Sequence, residues 1–346
     1  MRKAAEYGIR PVCASDMDGV LALSMRAGAG LTSLQPDARF IEALIGKSEA
    51  SFAQPAHSES QVFLLIMESF ETGDLVGCAS VKTRVSTDDF LCADFEWHGD
   101  RPGGPANLVL KRTLAGYTEV GSLFLRADHR ASGAGRFLAR ARYMLMGARK
   151  HLFDRPIVAQ LRGWSDAEGR APFYENVWRN RLSIPYQQCD ARLARDGAKF
   201  ILDAYEGLEI DIRTLSVEAA AAIGRTHPTA SGALSLLEQE GFRCANLVDL
   251  ADGGPLLIAT IGALPCWQTA RPVALAVSKP APTASLAMLT NASFDGFRAC
   301  VGAFTERHGS VACPGYVADF LAPGRHPVLL TAGTRSGVPN CRAQSH

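Results

Sequence analysis

The 346-residue sequence lacks an excess of charge of either sign. It contains 36 Lys and Arg against 35 Asp and Glu, which leaves a formal net charge of +1. A protein that neutralises several nucleic-acid phosphates needs a basic surface. The charge balance therefore argues against DNA or RNA as a partner.

Long apolar segments are also missing. The longest uninterrupted apolar run, Val62–Met67, is far shorter than the ~20 residues that cross a bilayer. The first residues include basic side chains, but the apolar core of a secretory signal does not follow them. These observations predict a cytoplasmic protein that does not interact with membranes.

Paired cysteines are absent as well. The nine cysteines are odd in number and scattered, without a C-x-x-C pair or a Cys/His group at zinc-binding spacing. This distribution favours reduced thiols and no metal site. Cys78 and Cys92 have no neighbouring histidine pattern to activate them, so packing and loop positions are the expected roles.

The chain is long enough for more than one structural unit, and 47% of its residues are hydrophobic, which is typical of a globular protein. We predict three parts: a core over residues 1–205, a second α/β unit over 206–270, and a linker with a small C-terminal unit over 271–346. The linker is placed at Arg271–Ser285 because Pro272, Pro280 and Pro282 lie there.

Local patterns predict a mixed α/β fold. Gln61–Glu68 and Leu75–Val85 form a predicted β-hairpin, and residues 86–107, rich in glycine and proline, a predicted loop. A strand at Glu119–Leu125 precedes a helix at Arg136–Lys150, which has apolar residues at helical spacing. Another strand is predicted at Ile157–Leu161.

The segment between the strand and the long helix has the features of an anion-binding loop. After Leu125 come Arg130, Gly133, Ala134 and Gly135, and the helix follows directly. Successive backbone N–H groups at a helix N-terminus can converge on a phosphate. The loop is neither a Walker A motif nor a complete G-x-G-x-x-G fingerprint. A tight strand-to-helix turn without a ligand is the other interpretation.

The pattern R-x-x-G-x-G in this position resembles the acyl-CoA loop of the GCN5-related N-acetyltransferase superfamily. Further blocks resemble arginine N-succinyltransferases along nearly the whole chain. They include Gly8–Val12, Leu161–Asp166, Glu168–Phe173, Ile223–Pro228, Leu236–Arg243 and Asp252–Pro255.

The resemblance implies an acyl-CoA N-acyltransferase fold: a mixed, mainly antiparallel sheet flanked by helices, with a large insert and a small C-terminal appendage. It implies transfer of succinyl from succinyl-CoA to the α-amine of L-arginine, with no tightly bound cofactor. It also implies that His227 of the I-G-x-x-H-P block handles a proton. Because the family includes two-subunit enzymes, a homo-oligomer or a hetero-oligomer with a paralogous subunit is expected.

The remaining site predictions combine this resemblance with side-chain chemistry. Residues of the loop, Leu125, Arg130, Gly133, Ala134 and Gly135, are expected to bind acyl-CoA. Glu119, Arg162 and Asp166 are candidates for substrate binding, because a guanidinium needs carboxylates and a succinyl carboxylate suits an arginine. From the residues alone, a surface-loop or helix-end histidine is the favoured interpretation of His227, and Asp166 could equally be part of a solvated turn.

The sequence also departs from the family pattern. Thr118–Leu125, Trp178–Leu182 and Tyr205–Glu209 differ from the residues expected there. Two alternatives therefore stay open: an N-acyltransferase of the same fold with a changed amino acid or acyl group, and a non-catalytic CoA-binding subunit.

Overall fold

The computed structural model describes residues 6–27, 31, 33–85, 94–98, 107–112, 114–153, 156–205, 209–278 and 284–332. The described strands are β1 (Tyr7–Pro11), β2 (Val62–Ser69), β3 (Leu75–Lys82), β4 (Asp94–His98), β5 (Asn107–Lys111), β6 (Thr118–Leu125), β7 (Ile157–Gln160), β8 (Ile210–Asp211), β9 (Arg243–Asp249), β10 (Pro255–Ala259), β11 (Arg271–Val277), β12 (Ser285–Thr290), β13 (Ala299–Arg307), β14 (Ser310–Cys313) and β15 (Val328–Ala332).

The described helices are α1 (Met17–Ala27), α2 (Ala38–Ala53), α3 (Ala134–Ala148), α4 (Pro172–Val177), α5 (Arg179–Leu182), α6 (Tyr186–Asp196), α7 (Lys199–Tyr205), α8 (Val217–Ala222), α9 (Ser231–Gln239), α10 (Pro265–Gln268) and α11 (Gly315–Leu321). The fold is therefore a mixed α/β arrangement. Among these helices, none combines the length and the apolar character that a bilayer span requires.

Contacts divide the chain into two compact units, and neither is continuous in sequence. The first unit takes its residues from 1–83, 120–156 and 260–335, and the second from 84–119, 157–259 and 336–346. The predicted division into three successive parts differs from this one. The difference arises because strands distant in sequence pair with one another, which a composition shift along the chain cannot reveal.

The first unit is built on a sheet with the order β13–β1–β2–β3–β6. The predicted hairpin is confirmed: β2 and β3 are antiparallel, and Leu65 is paired with Ala79. Gly73 in the turn has a φ of 75°, a conformation that glycine adopts without strain. The strands form this hairpin because consecutive apolar residues from Phe63 to Met67 are all fully buried.

The C-terminal strands are an integral part of the first unit. β11 to β15 close into a ring with the order β12–β15–β11–β14–β13, and β13 pairs again with β12. β13 also pairs with β1, where Gly8 is opposite Cys300. The predicted linker at 271–285 and the small appended unit were therefore wrong: residues 271–277 form β11, and residues 279–283 lie outside the described part.

The second unit contains a sheet with the order β7–β10–β9–β4–β5–β8. The start of β6 is parallel to β7, where Thr118 is paired with Ile157 and Glu119 with Val158. The predicted loop over 86–107 was partly wrong, because 94–98 form β4. Residues 86–93 and 99–106 lie outside the described part.

Aromatic side chains fill the core of the second unit. Phe95, Phe173, Tyr174 and Trp178 are all fully buried. The indole N–H of Trp178 donates to the carbonyl oxygen of Leu250 at 2.7 Å, so the polar atom of the largest side chain is satisfied. This core includes Val248, Leu250 and Ala251 at the end of β9, next to the turn that carries Asp252.

Candidate functional site

The predicted order of strand, loop and helix is confirmed in the first unit. β6 ends at Leu125, a 3₁₀ helix spans Ala127–Ser132, and α3 begins at Ala134. Gly133 stands between the two helices with φ 80° and ψ 0°, a left-handed conformation that suits glycine. This glycine allows the chain to turn sharply into α3. The first backbone N–H groups of this 15-residue helix therefore face the loop.

Arg130 fixes the loop to the end of β6. Its Nε donates to the carbonyl oxygen of Leu125 at 2.9 Å, and its guanidinium carbon lies 5.9 Å from the ring centroid of Phe124. The Leu125 side chain is buried. Arg130 therefore has a structural contact in addition to the predicted role in acyl-CoA binding, which stays a prediction.

Gly135 is not required by the packing around it. A Cβ at this position would lie 3.6 Å from Cδ2 of Leu125, an ordinary van der Waals contact. Gly135 lies in the first turn of α3, and glycine within a helix costs roughly 1 kcal/mol relative to alanine. The sequence thus keeps a glycine where the fold alone would favour a side chain.

His227 lies in the second unit, directly before a short 3₁₀ helix at Pro228–Ala230. Its backbone N–H donates to the carbonyl oxygen of Arg162 at 2.9 Å. Its Nδ1 lies 2.7 Å from the hydroxyl of Thr229 and also accepts from the Thr229 N–H at 3.2 Å. The imidazole is therefore oriented through Nδ1.

The surroundings of His227 favour a neutral ring. Partial burial lowers the pKa of His227 below its usual 6.5, and the positive charge of Arg162 lowers it further, whereas Asp252 opposes this shift. The ring is consequently neutral at pH 7 and can accept a proton. The Thr229 hydroxyl can donate or accept, so it can serve either ring tautomer.

A partly buried ion pair lies beside this histidine segment. Nη2 of Arg162 is 3.7 Å from Oδ2 of Asp190, and the two side chains are 23% and 19% exposed. The Arg162 guanidinium carbon also lies 5.9 Å from the ring centroid of Tyr186. At this distance and exposure, both charged groups can also interact with a bound molecule.

Burial raises the pKa of Asp190 to about 6, although the Arg162 charge acts in the opposite direction; Asp252 raises it further. A carboxyl group whose pKa is higher in the folded state binds more protons when folded. The stability that this extra proton binding contributes is therefore lost as the pH rises from 3.8, the ordinary pKa of the carboxyl group, through about 6, the pKa of Asp190 in the folded protein.

We expect Asp190→Asn to remove this pH dependence. Between pH 4.5 and pH 7 the free energy of unfolding of the variant increases relative to that of the natural protein, because only the natural protein must ionise a buried carboxyl group over that range. Urea unfolding at the two pH values measures the difference. An exposed control, Asp203→Asn, shows no such trend, and equal slopes for the Asp190 variant and the natural protein contradict the expectation.

The other predicted substrate residues have different surroundings. Asp166 accepts from the backbone N–H and the Nε of Arg170, both at 2.8 Å, so it closes a turn. Glu119 is partly buried at the start of β6, opposite Val158. Arg162 is bonded to His227 through its carbonyl oxygen, which accepts from the His227 N–H.

Sequence reasoning missed Asp190, Tyr186 and Asp252. Asp252 belongs to one of the blocks used for the resemblance, Asp252–Pro255, but received no role. Asp190 and Tyr186 lie on α6, in a polar segment with no motif around them. Among the described residues, no group of three or more potential metal ligands is present.

The first unit carries a glycine-containing loop at the N-terminus of α3, and the second carries a partly buried histidine beside an Arg–Asp pair. The family model for the arginine N-succinyltransferase beta subunit matches residues 7–265. The chain belongs to the arginine N-succinyltransferase family, as the sequence blocks predicted.

Individual relatives agree with the family match. The chain is 30% identical to arginine N-succinyltransferase of Enterobacter sp. (strain 638), over 84% of this chain and 87% of the relative. It is 29% identical to arginine N-succinyltransferase subunit beta of Pseudomonas aeruginosa, over 82% and 85% of the two chains. The solved structure of arginine/ornithine succinyltransferase subunit AI from Pseudomonas aeruginosa has 26% identity and a TM-score of 0.81, covering 95% of this chain and 99% of the other.

Proposed function

We propose that the protein transfers the succinyl group of succinyl-CoA to the α-amine of L-arginine. The family match over residues 7–265, which includes segments of both units, carries this proposal. The matched relatives bear the name of this activity. A GCN5-related acyltransferase-like fold is part of the proposal, supported by β6, its glycine loop and α3 following one another.

Succinyl-CoA is proposed to bind at the loop from Arg130 to Gly135. The N-terminus of α3 supplies backbone N–H donors for the pyrophosphate, and the two glycines permit its close approach. Backbone groups near Leu125 are proposed to bond the pantetheine arm and polarise the thioester carbonyl. Arg130 holds Leu125 in place through its Nε.

In the proposed reaction the amine attacks the thioester directly in a ternary complex. The amine nitrogen forms the new amide bond, the carbon–sulfur bond breaks, and CoA leaves as a thiolate. In the tautomer with the ring proton on Nδ1, His227 donates to the Thr229 hydroxyl and gives up the longer contact from the Thr229 N–H. Nε2 of that tautomer has a lone pair that can take the proton of the amine. The protonated ring then gives a proton to the thiolate.

Charged side chains near His227 are proposed to orient the substrates. Arg162 suits a substrate carboxylate, and Asp190, which shares charge with it at 3.7 Å, suits a cationic group. Glu119 and Asp166 are retained as further proposed contacts. Asp166 would act through the turn it forms with Arg170.

A homo-oligomer or a complex with a paralogous subunit is also proposed. It is supported by the family description as a beta subunit and by a relative named as subunit beta. Mass measurement of the purified protein, alone and after co-expression with a paralogue, tests this part separately from the activity.

The decisive experiment follows thiol release from succinyl-CoA with a panel of amino acids and identifies the product by mass. Arginine is expected to be the best acceptor among the common amino acids, and ornithine, with its shorter cationic side chain, a poorer one. A better neutral or acidic acceptor would overturn the arginine specificity. Absence of thiol release with every amino acid would overturn the catalytic proposal itself.

Glu119→Gln is expected to raise KM for arginine at least tenfold, equivalent to ~1.4 kcal/mol, because a carboxylate that faces a cationic substrate loses its charge. Steady-state kinetics at saturating succinyl-CoA measure this effect, and KM for succinyl-CoA stays within twofold. The exposed residue Glu218 provides the control variant Glu218→Gln. An unchanged KM for arginine would remove Glu119 from the acceptor site.

A further inference from the structure

The turn between β9 and β10 is tightly bonded within itself. Oδ1 of Asp249 accepts from the N–H groups of Ala251 and Asp252 at 2.8 and 2.9 Å. The Asp249 N–H donates to the carbonyl oxygen of Gly254 at 2.7 Å, and Gly253 has a φ of 70°. These bonds fix the direction in which the Asp252 side chain leaves the turn.

The carboxylate of Asp252 joins three different segments. Its Oδ1 accepts from the N–H of Gly254 at 2.8 Å. Its Oδ2 accepts from the N–H of Gly163 at 2.8 Å and from the hydroxyl of Tyr186 at 3.1 Å. The residue is only 6% exposed. Both oxygens act as acceptors, which an ionised carboxylate can do and an asparagine amide cannot.

Two sets of backbone contacts connect this turn to residues 224–227, which include His227. Gly163, bonded to Asp252, forms a β-bridge with Thr226, and the carbonyl oxygen of the preceding residue, Arg162, accepts from the N–H of His227 at 2.9 Å. Separately, the carbonyl oxygen of Gly253 accepts from the N–H of Gly224 at 2.8 Å. Residues 224–227 are therefore hydrogen-bonded to other segments at both of their ends.

The packing leaves no space for these segments to shift. A Cβ on Gly163 would lie 2.4 Å from the carbonyl oxygen of Asp252, and a Cβ on Gly254 would lie 2.2 Å from that of Leu161. Distances below 3.0 Å are not found for real Cβ atoms. The backbones thus approach one another as closely as glycine allows.

We propose that Asp252 is a positioning residue for His227, acting through the backbone of Gly163 and Arg162 and through its buried negative charge. The proposal rests on the proposed function, in which His227 transfers the proton. Arg162 and Asp252 are the charged groups whose interaction with the ring is resolved. Asp190 on α6 and Asp249 at the end of β9 are further charged groups nearby, and both interact with Tyr186, as Asp252 and Arg162 do.

The test compares Asp252→Asn with the natural protein in three measurements. We expect kcat to fall by 10- to 100-fold, KM for succinyl-CoA to change less than twofold, and the pKa of His227, followed by NMR of the labelled imidazole, to fall because a neighbouring negative charge is removed. The resonance is assigned with His227→Gln. Asp16→Asn, which breaks a partly buried ion pair with Arg10 in the first unit, serves as the matched control and leaves the His227 resonance unchanged.

A loss of thermal stability in Asp252→Asn with unchanged kcat and an unchanged His227 titration would overturn the proposal. If that variant does not fold, Tyr186→Phe removes only one donor to the same carboxylate. It is expected to lower kcat two- to fivefold and to move the His227 resonance, and no change in either overturns the proposal. Full activity of His227→Ala would instead defeat the proposed catalytic role of His227, and this outcome is distinguishable because the NMR coupling of Asp252 to His227 is measured without turnover.

Discussion

His227→Ala is expected to lose kcat by ~10²–10⁴-fold, the range contributed by a positioned proton-transfer group. KM for succinyl-CoA is expected to change little, because the proton moves in the transition state and not during ground-state binding. The measurement is steady-state thiol release, corrected for the folded fraction. The removed group is an imidazole oriented by Thr229, on a residue whose backbone N–H donates to the carbonyl oxygen of Arg162.

The pH profile of kcat gives a second signature of the same group. Because burial and Arg162 lower the pKa of His227 below 6.5, activity is expected to persist to slightly acidic pH and then decline as the ring becomes protonated. The exposed His326 supplies the control variant His326→Ala, which keeps both kcat and the profile. A stable and fully active His227→Ala protein would show that this histidine is structural.

Gly135→Val is expected to weaken CoA binding at least tenfold in a protein that still folds. A branched side chain in the first turn of α3 holds the pyrophosphate away from the backbone N–H groups on which the proposed binding depends. Calorimetric titration with CoA measures the dissociation constant. Unchanged affinity for CoA in folded Gly135→Val would show that the loop from Arg130 to Gly135 is an ordinary strand-to-helix turn.

Gly135→Ala provides the graded control. Its Cβ meets only an ordinary contact at 3.6 Å from Leu125, and alanine favours the helix by roughly 1 kcal/mol over glycine. We therefore expect an equal or higher melting temperature together with weaker CoA binding. Such opposite changes distinguish a ligand requirement from a packing requirement, since packing would lower both.

Local sequence patterns predicted most elements near the site. The β2–β3 hairpin, β6, α3 and β7 were all recognised from apolar spacing, because each has a buried face that the spacing records. The predicted linker failed for a definite reason. Pro272 lies in β11 where the strand pairs with β15, and pairing with β14 begins only at Ala274, so the missing N–H costs no bond to β14.

The residues of the candidate site also differ in how far the sequence could predict them. The anion loop is contiguous in sequence, so its glycines and arginine could be named from the sequence. Asp190 and Asp252 could not be given roles, because they acquire them through contacts with Arg162 and Gly163 that lie on other elements. His227 was found through a family block, since an isolated His-Pro pair has no specific chemistry of its own.

The pairing of β1 with β13 has a consequence for synthesis of the chain. β1 is made well before its partner, which spans Ala299–Arg307, so the first unit stays incomplete until those residues have left the ribosome. The described strands of the second unit all come from residues 94–259, and domains generally fold as units during synthesis. The histidine-bearing unit can therefore fold first, whereas one edge of β1 has no strand partner until β13 is made, and an unpaired strand edge is prone to aggregation.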